Sequence, residues 1–494
     1  MQALKQRFKF LFLSTKGLIL VGIAMCALIS AFFGMLSGPM ADFGIKDVIV
    51  KFFGIKLIEA EREGRLIILY HSIAMIVVAI ETYMITGLLA MKENQRLFIN
   101  STITIGYWAV LFGGLPFAYW GHRWPFHGLY IAGLSLIFFA GCFLLYALFP
   151  WQKEYKVKDK QYAHTRAGYS VERIAFFVMA LATLLSSLFG AIPGSYYGNG
   201  FETFLAENVV REPHKTALDL SVIGHLHIML ALIAIACCLI IGRWMDFKGI
   251  WHKLAMPLMI VGSFVLAMGT WLVVPFETAA HFIIYGGSTL AMLGALFLVI
   301  FSWCKLIREG LERKGIKKGN FFQAVAALLS DPVKFGPTWQ MVFMNFTVSF
   351  VGIFVAVKLD EIFRKWQFMD ERLILTGHWH ILATLTATIL LLYYADLAGI
   401  KGKARQWFGW LLIIFSDLAF GSVTVYEMKR MFVEESSQQP IINTTTLLGD
   451  IGLVMVLVVL AALMVWRLTD LFKKKGKWSK ESQEPIGIQV EVNK

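Results

Sequence analysis

The sequence predicts an all-α polytopic membrane protein, a bundle of about twelve transmembrane helices. Of its 494 residues, 57% are hydrophobic, and the mean hydropathy is +0.65. Apolar runs of roughly 20 residues recur along the chain, and that is the length a helix needs to cross a bilayer. The basic residues lie between and after these runs. The net charge of +13 therefore indicates membrane-flanking positions and not a nucleic-acid-binding surface.

Twelve apolar runs predict the helices, which we number as spans one to twelve. They cover residues 17–38, 66–90, 101–120, 127–150, 172–195, 217–242, 253–275, 278–305, 338–358, 371–397, 406–428 and 444–468. The first run follows a basic flank, but it is longer than the apolar part of a signal peptide and no small-residue cleavage site follows, so we expect a retained helix. A single membrane domain over residues 1–478 and a polar cytoplasmic tail over 479–494 complete the predicted organisation.

The distribution of basic residues predicts the orientation. The segments "KEYKVKDK", "CKLIREGLERKGIKKG" and "FKKKGKWSK" fall on one side of the predicted membrane, and that side holds most of the 46 Lys and Arg residues. Positive charge is enriched in cytoplasmic loops, so both termini are expected to be cytoplasmic in an inner (cytoplasmic) membrane. The long inner loop over 306–337 contains "NFFQAVAALLSDP", which predicts a short surface helix.

The cysteines argue against several kinds of site. All five lie in apolar runs, and the sequence holds no CxxC or CxxCH pair. This pattern is typical of small packing residues. It argues against a disulfide framework, a thiolate metal site and covalently attached c-type haem.

Six histidines sit just inside apolar spans. They are His71 in span two, His225 and His227 in span six, His281 in span eight, and His378 and His380 in span ten. Even-numbered spans run from outside to inside, so all six are predicted within about two turns of the outer membrane face. An imidazole in hydrocarbon is costly unless it is paired or coordinated, which makes this layer a functional candidate. The alternative for each histidine is a helix-end side chain hydrogen-bonded to a neighbouring carbonyl.

Four of these histidines occur in two similar stretches, "GHLHIML" at 224–230 and "GHWHILA" at 377–383. Residues two apart on an α-helix point about 200° away from each other, so each pair is expected to face opposite sides of its helix. That arrangement suits a helix placed between two cofactors. Gly224 and Gly377 remove side-chain bulk where a macrocycle or a neighbouring backbone would approach.

The span count, the histidines of spans two and six, and the H-x-H of span ten together resemble subunit I of the haem-copper oxidase superfamily, which includes cytochrome oxidases and nitric oxide reductases. The resemblance implies a low-spin haem b held by His71 and His380, and a high-spin haem held by His378 at the reaction centre. It implies that His225 or His227 binds a neighbouring copper or non-haem iron. It also implies that Lys429 and Arg430, in "YEMKRMF", hold haem propionates.

Span seven departs from this resemblance. The family places a His-His pair there, whereas "LAMPLMIVGSFVLAMGTWLVVPFE" contains no histidine. Three alternatives remain. His281, or the unused member of the span-six pair, replaces part of the second metal site. Otherwise the second metal is absent, or the second metal site has become another haem site. The repeated GHxH of span six favours the last alternative.

Two carboxylates lie within spans, Glu81 in span two and Asp417 in span eleven. Intramembrane carboxylates are rare, and a proton relay toward the histidine layer is the functional interpretation. A neutral carboxylic acid hydrogen-bonded to a neighbouring helix is the structural one.

The resemblance therefore implies a membrane-embedded b-type haem protein of a respiratory electron-transfer chain, an oxidoreductase related to cytochrome oxidase or nitric oxide reductase. A c-type cytochrome or another electron-donor subunit is expected on its outer face, because the chain has no c-type haem motif of its own. One alternative is a haem electron conduit without a substrate site. Another is a proton-coupled transporter that uses the intramembrane His, Asp and Glu residues.

Overall fold

The fold is an all-α bundle, as the sequence predicted. The computed structural model describes residues 9, 11–36, 38–58, 62–197, 217–359, 361–366 and 368–473. In these residues the regular structure is helical, apart from two isolated β-bridges near residues 156–170. Eleven of the described helices are long and apolar enough to cross a membrane. The predicted polar tail, residues 479–494, lies outside the described residues.

We number the membrane helices to match the predicted spans. They are α1 Leu18–Met35, α2 Arg62–Leu88, α3 Glu93–Trp120, α4 Trp124–Leu148, α5 Val171–Tyr197, α6 Ala217–Trp244, α7 and α8 within Gly249–Arg313, α9 Pro332–Lys358, α10 Phe368–Ala398, α11 Gly402–Glu427 and α12 Gln439–Lys473.

The longest helical segment, Gly249–Arg313, contains two of the predicted spans. Its backbone breaks at Phe276, with φ −145° and ψ 59°, directly after Pro275, which cannot donate the helical hydrogen bond. We therefore label residues 249–275 α7 and residues 277–313 α8. The helices α7 and α8 pack side by side. Their close approach is seen at Gly287 of α8, where an added Cβ would lie 2.5 Å from the backbone nitrogen of Leu266 in α7. The eleven long helices thus contain all twelve predicted spans.

This hairpin gives a test with an adjacent control. Replacing Gly287 by alanine is expected to lower the melting temperature of the purified protein in detergent, because the new methyl group overlaps the backbone of α7. Gly286→Ala should leave the melting temperature unchanged, since a Cβ at Gly286 meets no atom within 4 Å. Equal melting temperatures for the two variants would contradict the α7–α8 packing.

Small residues also allow close approach elsewhere in the bundle. A Cβ at Gly133 of α4 would lie 2.5 Å from the backbone nitrogen of Val110 in α3, and one at Gly452 of α12 would lie 2.7 Å from that of Ala419 in α11. In a bilayer, helices associate through such close packing, because lipid is as apolar as the helix surface.

Two helices of eight residues lie outside the spans. The predicted surface helix of the long loop is present as Phe321–Leu328. A second, Lys46–Phe53, follows α1 at the opposite end of the bundle and was not predicted. The described cysteines are all free thiols; Cys26 and Cys237 are buried, whereas Cys304 is exposed.

Candidate functional site

Four of the six predicted histidines meet at one end of the bundle, which we call the histidine end. The ring of His71 in α2 faces that of His225 in α6, with 6.4 Å between ring centroids and 21° between ring planes. The ring of His227, also in α6, faces that of His378 in α10, again at 6.4 Å and with 46° between planes. The two histidines of α6 therefore address opposite sides of their helix, as their spacing predicts.

In all four residues the Nδ1 atom faces a backbone carbonyl. The Nδ1–O distances are 2.9 Å from His71 to Ile67, 3.1 Å from His225 to Ser186, 2.9 Å from His227 to Ile223 and 3.1 Å from His378 to Ile374. A carbonyl oxygen only accepts, so Nδ1 carries the proton and Nε2 carries the lone pair. This is the hydrogen bond of the structural alternative, and metal-ligating histidines are held in the same way, with the second ring nitrogen donating to a carbonyl or carboxylate.

The separation within each pair fits one metal ion between two imidazoles. Bonds between first-row metals and imidazole nitrogen are about 2.0–2.1 Å long. Two histidines on opposite sides of one ion then have ring centroids roughly 6–6.5 Å apart. Both observed separations, 6.4 Å, lie in that range. A direct hydrogen bond between two imidazoles would give a comparable distance, but it requires a ring nitrogen donor, and Nδ1 already donates to the backbone.

A glycine from a neighbouring helix borders the Nε2 edge of one ring in each pair. A Cβ on Gly190 of α5 would lie 2.6 Å from Nε2 of His225, and one on Gly352 of α9 would lie 3.3 Å from Nε2 of His378. Gly352 follows a π-helical stretch, Asn345–Ser349, a feature that often occurs at functional sites. Both glycines keep side-chain atoms away from the nitrogen that carries the lone pair.

Aromatic rings surround the two pairs. The indole of Trp379 contacts His227 at 4.3 Å and His378 at 5.6 Å between ring centroids. Tyr130 of α4 contacts His71 at 6.2 Å. His378 is 7% exposed, whereas His227 of the same pair is exposed, so the rings cover the two pairs only in part.

The pairing differs from the one that the resemblance implies. The resemblance joins His71 to His380, whereas the structure places His225 opposite His71. His380 instead contacts the ring of Tyr70, the residue before His71, at 4.4 Å. The helices α2, α6 and α10 contact one another at this level, and α6 presents one histidine to each of the other two.

The predicted second-metal residues are not brought together. His225 faces α2 and His227 faces α10, while His281 of α8 stacks at 6.4 Å on Tyr285 of its own helix. Across the described ranges there is no group of three or more His, Cys, Asp or Glu side chains that could hold a metal ion. The structure does not bring His281 together with the histidines of α6, and its role as a partial metal ligand stays a prediction. Each histidine of α6 belongs to a pair of its own.

The predicted propionate-binding residues form ion pairs at the histidine end. Lys429 Nζ lies 2.8 Å from Asp370 Oδ1, and Arg430 Nε lies 2.7 Å from Asp370 Oδ2. Arg430 also pairs with Glu435 at 2.7 Å. Asp370 stands in α10, eight residues before His378, so these ion pairs tie the start of α10 to the α11–α12 connection.

Glu427, the last residue of α11, was not recognised from the sequence. It is 3% exposed, and in the described part of the chain its Oε2 makes no hydrogen bond. Its carboxyl group occupies the space that a Cβ of Gly377 would fill. The glycine before His378 is therefore required by a neighbouring side chain. Gly224, by contrast, packs against α7, where a Cβ would lie 3.2 Å from the carbonyl oxygen of Thr270.

The two predicted relay carboxylates have different surroundings. Glu81 of α2 is 4% exposed, and among the described residues its Oε1 has no hydrogen-bond partner. Asp417 of α11 accepts hydrogen bonds from Trp339 Nε1 at 2.7 Å and from Gln340 Nε2 at 2.9 Å, both in α9. Asp417 thus joins two helices, which is the structural alternative that the sequence left open, and the relay roles of Glu81 and Asp417 stay predictions.

Asp417 can be tested as a helix–helix link. Asp417→Ala removes the acceptor of the Trp339 indole, and leaving a buried donor unsatisfied costs about 1–3 kcal/mol. Asp417→Asn keeps one acceptor oxygen and should lose less stability. Thermal melting of the purified variants checks this order. Wild-type melting of the alanine variant would show that the hydrogen bonds do not contribute to stability.

A comparison with models of known protein families and with characterised proteins finds no match for this chain.

Proposed function

We propose that this multi-pass membrane protein is a b-type haem electron carrier with two haems, one bound by His71 and His225 and the other by His227 and His378. The observation that carries the proposal is the repeated geometry. Both pairs have ring centroids 6.4 Å apart, and all four Nδ1 atoms are fixed by backbone carbonyls. Attachment would be non-covalent, since the sequence has no CxxCH motif.

The chain's own residues account for the requirements of such sites. The carbonyls orient each imidazole, and their hydrogen bonds raise the basicity of the ligating nitrogen. Gly190 and Gly352 allow the backbones of α5 and α9 to pack closely against the Nε2 edges of His225 and His378. A bound haem would supply one-electron chemistry at a potential set by its two histidines and by burial. Because α6 contributes one ligand to each pair, electrons would pass from one side of this helix to the other.

Two histidine ligands to each haem leave no open coordination position for a small-molecule substrate. This favours a conduit over an enzyme that reduces dioxygen or nitric oxide. One observation supports the enzyme as a second candidate: His380, next to Tyr70, is a further imidazole at the histidine end. If His380 replaced His225 opposite His71, the remaining histidines would leave an open site as the haem-copper resemblance implies.

Visible spectroscopy separates these candidates. The reduced-minus-oxidised spectrum of the purified protein should contain a b-type α-band, and carbon monoxide should leave the reduced spectrum unchanged. A shift with carbon monoxide would favour the enzyme, since it reports an open iron. Absence of the α-band in protein purified from haem-replete cells would refute both haem proposals.

We further propose that the histidine end faces the outside of the cytoplasmic membrane and that both termini are cytoplasmic. The excess of Lys and Arg at the other end supports this orientation. An electron-donor subunit or c-type cytochrome would then deliver electrons at the histidine end.

A further inference from the structure

The surface helix Phe321–Leu328 is firmly attached at the end of the bundle opposite the histidines. Its N-terminus carries a capping box, in which Gln323 N donates to Asn320 Oδ1 at 2.9 Å and Asn320 N donates to Gln323 Oε1 at 3.0 Å. Its buried residue, Ala327, packs on α8, where a Cβ at Gly310 would lie 2.8 Å from the Ala327 Cβ. One face of the helix is thereby fixed against the protein.

The opposite face is apolar and open. Phe321 is 75% exposed, Phe322 79% and Val325 37%, and Ala326 lies on the same arc of the helix. Two phenylalanines exposed to this extent on a rigid helix are unfavourable in water, because each would contribute to stability if buried. The face is therefore suited to an apolar environment outside the protein.

The loop before the helix is basic. Arg313, Lys314, Lys317 and Lys318 are all exposed, and none of them forms an ion pair with another described residue. An apolar helix face beside uncompensated Lys and Arg residues is the pattern of a segment that lies in the interface of an anionic membrane.

We propose that the surface helix and its basic loop bind the surface of the surrounding bilayer through acidic phospholipid headgroups. Phe321, Phe322 and Val325 enter the boundary between headgroups and acyl chains, while Lys317 and Lys318 contact lipid phosphates. The charge complementarity selects an acidic over a zwitterionic surface. This inference is independent of haem, since it concerns the other end of the molecule.

Cysteine protection in nanodiscs tests the proposal. Phe322→Cys is introduced into the full-length protein with Cys304→Ala, which removes the exposed native thiol. Its reaction with a bulky charged maleimide is compared in phosphatidylcholine discs with and without phosphatidylglycerol. Each lysine near an anionic surface favours association about fivefold. Phosphatidylglycerol should therefore slow labelling by at least about fivefold, and Lys317→Gln with Lys318→Gln should remove most of that effect.

The control substitutions lie at the same end of the bundle as the surface helix. Lys401→Cys, in the exposed turn between α10 and α11, should be labelled at similar rates in both discs. Lys401→Gln with Lys403→Gln should leave the protection of Phe322→Cys intact. Protection that is equal with and without phosphatidylglycerol would overturn the recognition of acidic lipid. Rapid labelling in both discs would show that the helix faces water or a protein, and would overturn the proposal altogether.

Discussion

His225→Ala is expected to reduce the haem content from two per chain to one, and His227→Ala is expected to do the same. Each substitution removes one of the two histidines proposed to hold one haem, and the other pair lies on the opposite side of α6. The two single variants should lose different components of a redox titration followed at the α-band, and the double variant should lose both. Haem content per chain, measured on purified protein, checks the prediction.

His281→Ala is the matched control. His281 lies on α8 and contacts Tyr285, outside both pairs, so its removal should leave both haems in place. If His225→Ala kept two haems while His380→Ala lost one, the pairing implied by the haem-copper resemblance would be correct and ours wrong. Loss of both haems in each single variant, with normal melting, would indicate one shared site.

Gly377→Ala is expected to destabilise the protein and to impair the site at His378. The added Cβ would overlap the buried carboxyl group of Glu427, so α10 or the end of α11 must move. Overpacking of this kind costs about 1–3 kcal/mol. A shift of α10 would also displace His378, the next residue, from His227. The expected result is a lower melting temperature together with loss of the haem bound by His227 and His378.

A second substitution distinguishes this mechanism from general disruption. Adding Glu427→Ala to Gly377→Ala removes the overlapping carboxyl group and should restore both the melting temperature and the haem content. Gly421→Ala, elsewhere on α11, should have little effect, since the nearest atom to its added Cβ is 3.8 Å away. Failure of the double variant to recover either property would contradict the assigned contact.

The helices could be predicted from the sequence because the signal for a span is local. A run of about 20 apolar residues is sufficient, and the backbone must satisfy its own hydrogen bonds in lipid. The break between α7 and α8 was predictable for the same reason, from "VPFE" with its proline. The ends of the helices were harder to predict than their presence. The helix α8 ends at Arg313, beyond the predicted end at residue 305, because a helix can continue past the membrane.

The site could be predicted only in part. The two-residue spacing of His225 and His227 fixes their opposite directions on any helix, so that feature needed no structure. Their partners depend on which helices are neighbours, and side-chain spacing within one helix does not contain that information. The sequence therefore could not indicate whether His225 or His380 lies opposite His71. Glu427 was missed because, in sequence, it looks like one more charge at the end of a span.

The proposed function requires two haems bound by four histidines, and the molar ratio of haem to polypeptide tests this most directly. The full-length protein is purified from haem-replete cells, haem b is extracted and quantified as its pyridine complex, and the chain is quantified by amino-acid analysis. The pairing of His71 with His225 and of His227 with His378 predicts a ratio of two. A ratio of zero would refute the haem proposal, and a ratio of one would show that only one pair binds haem.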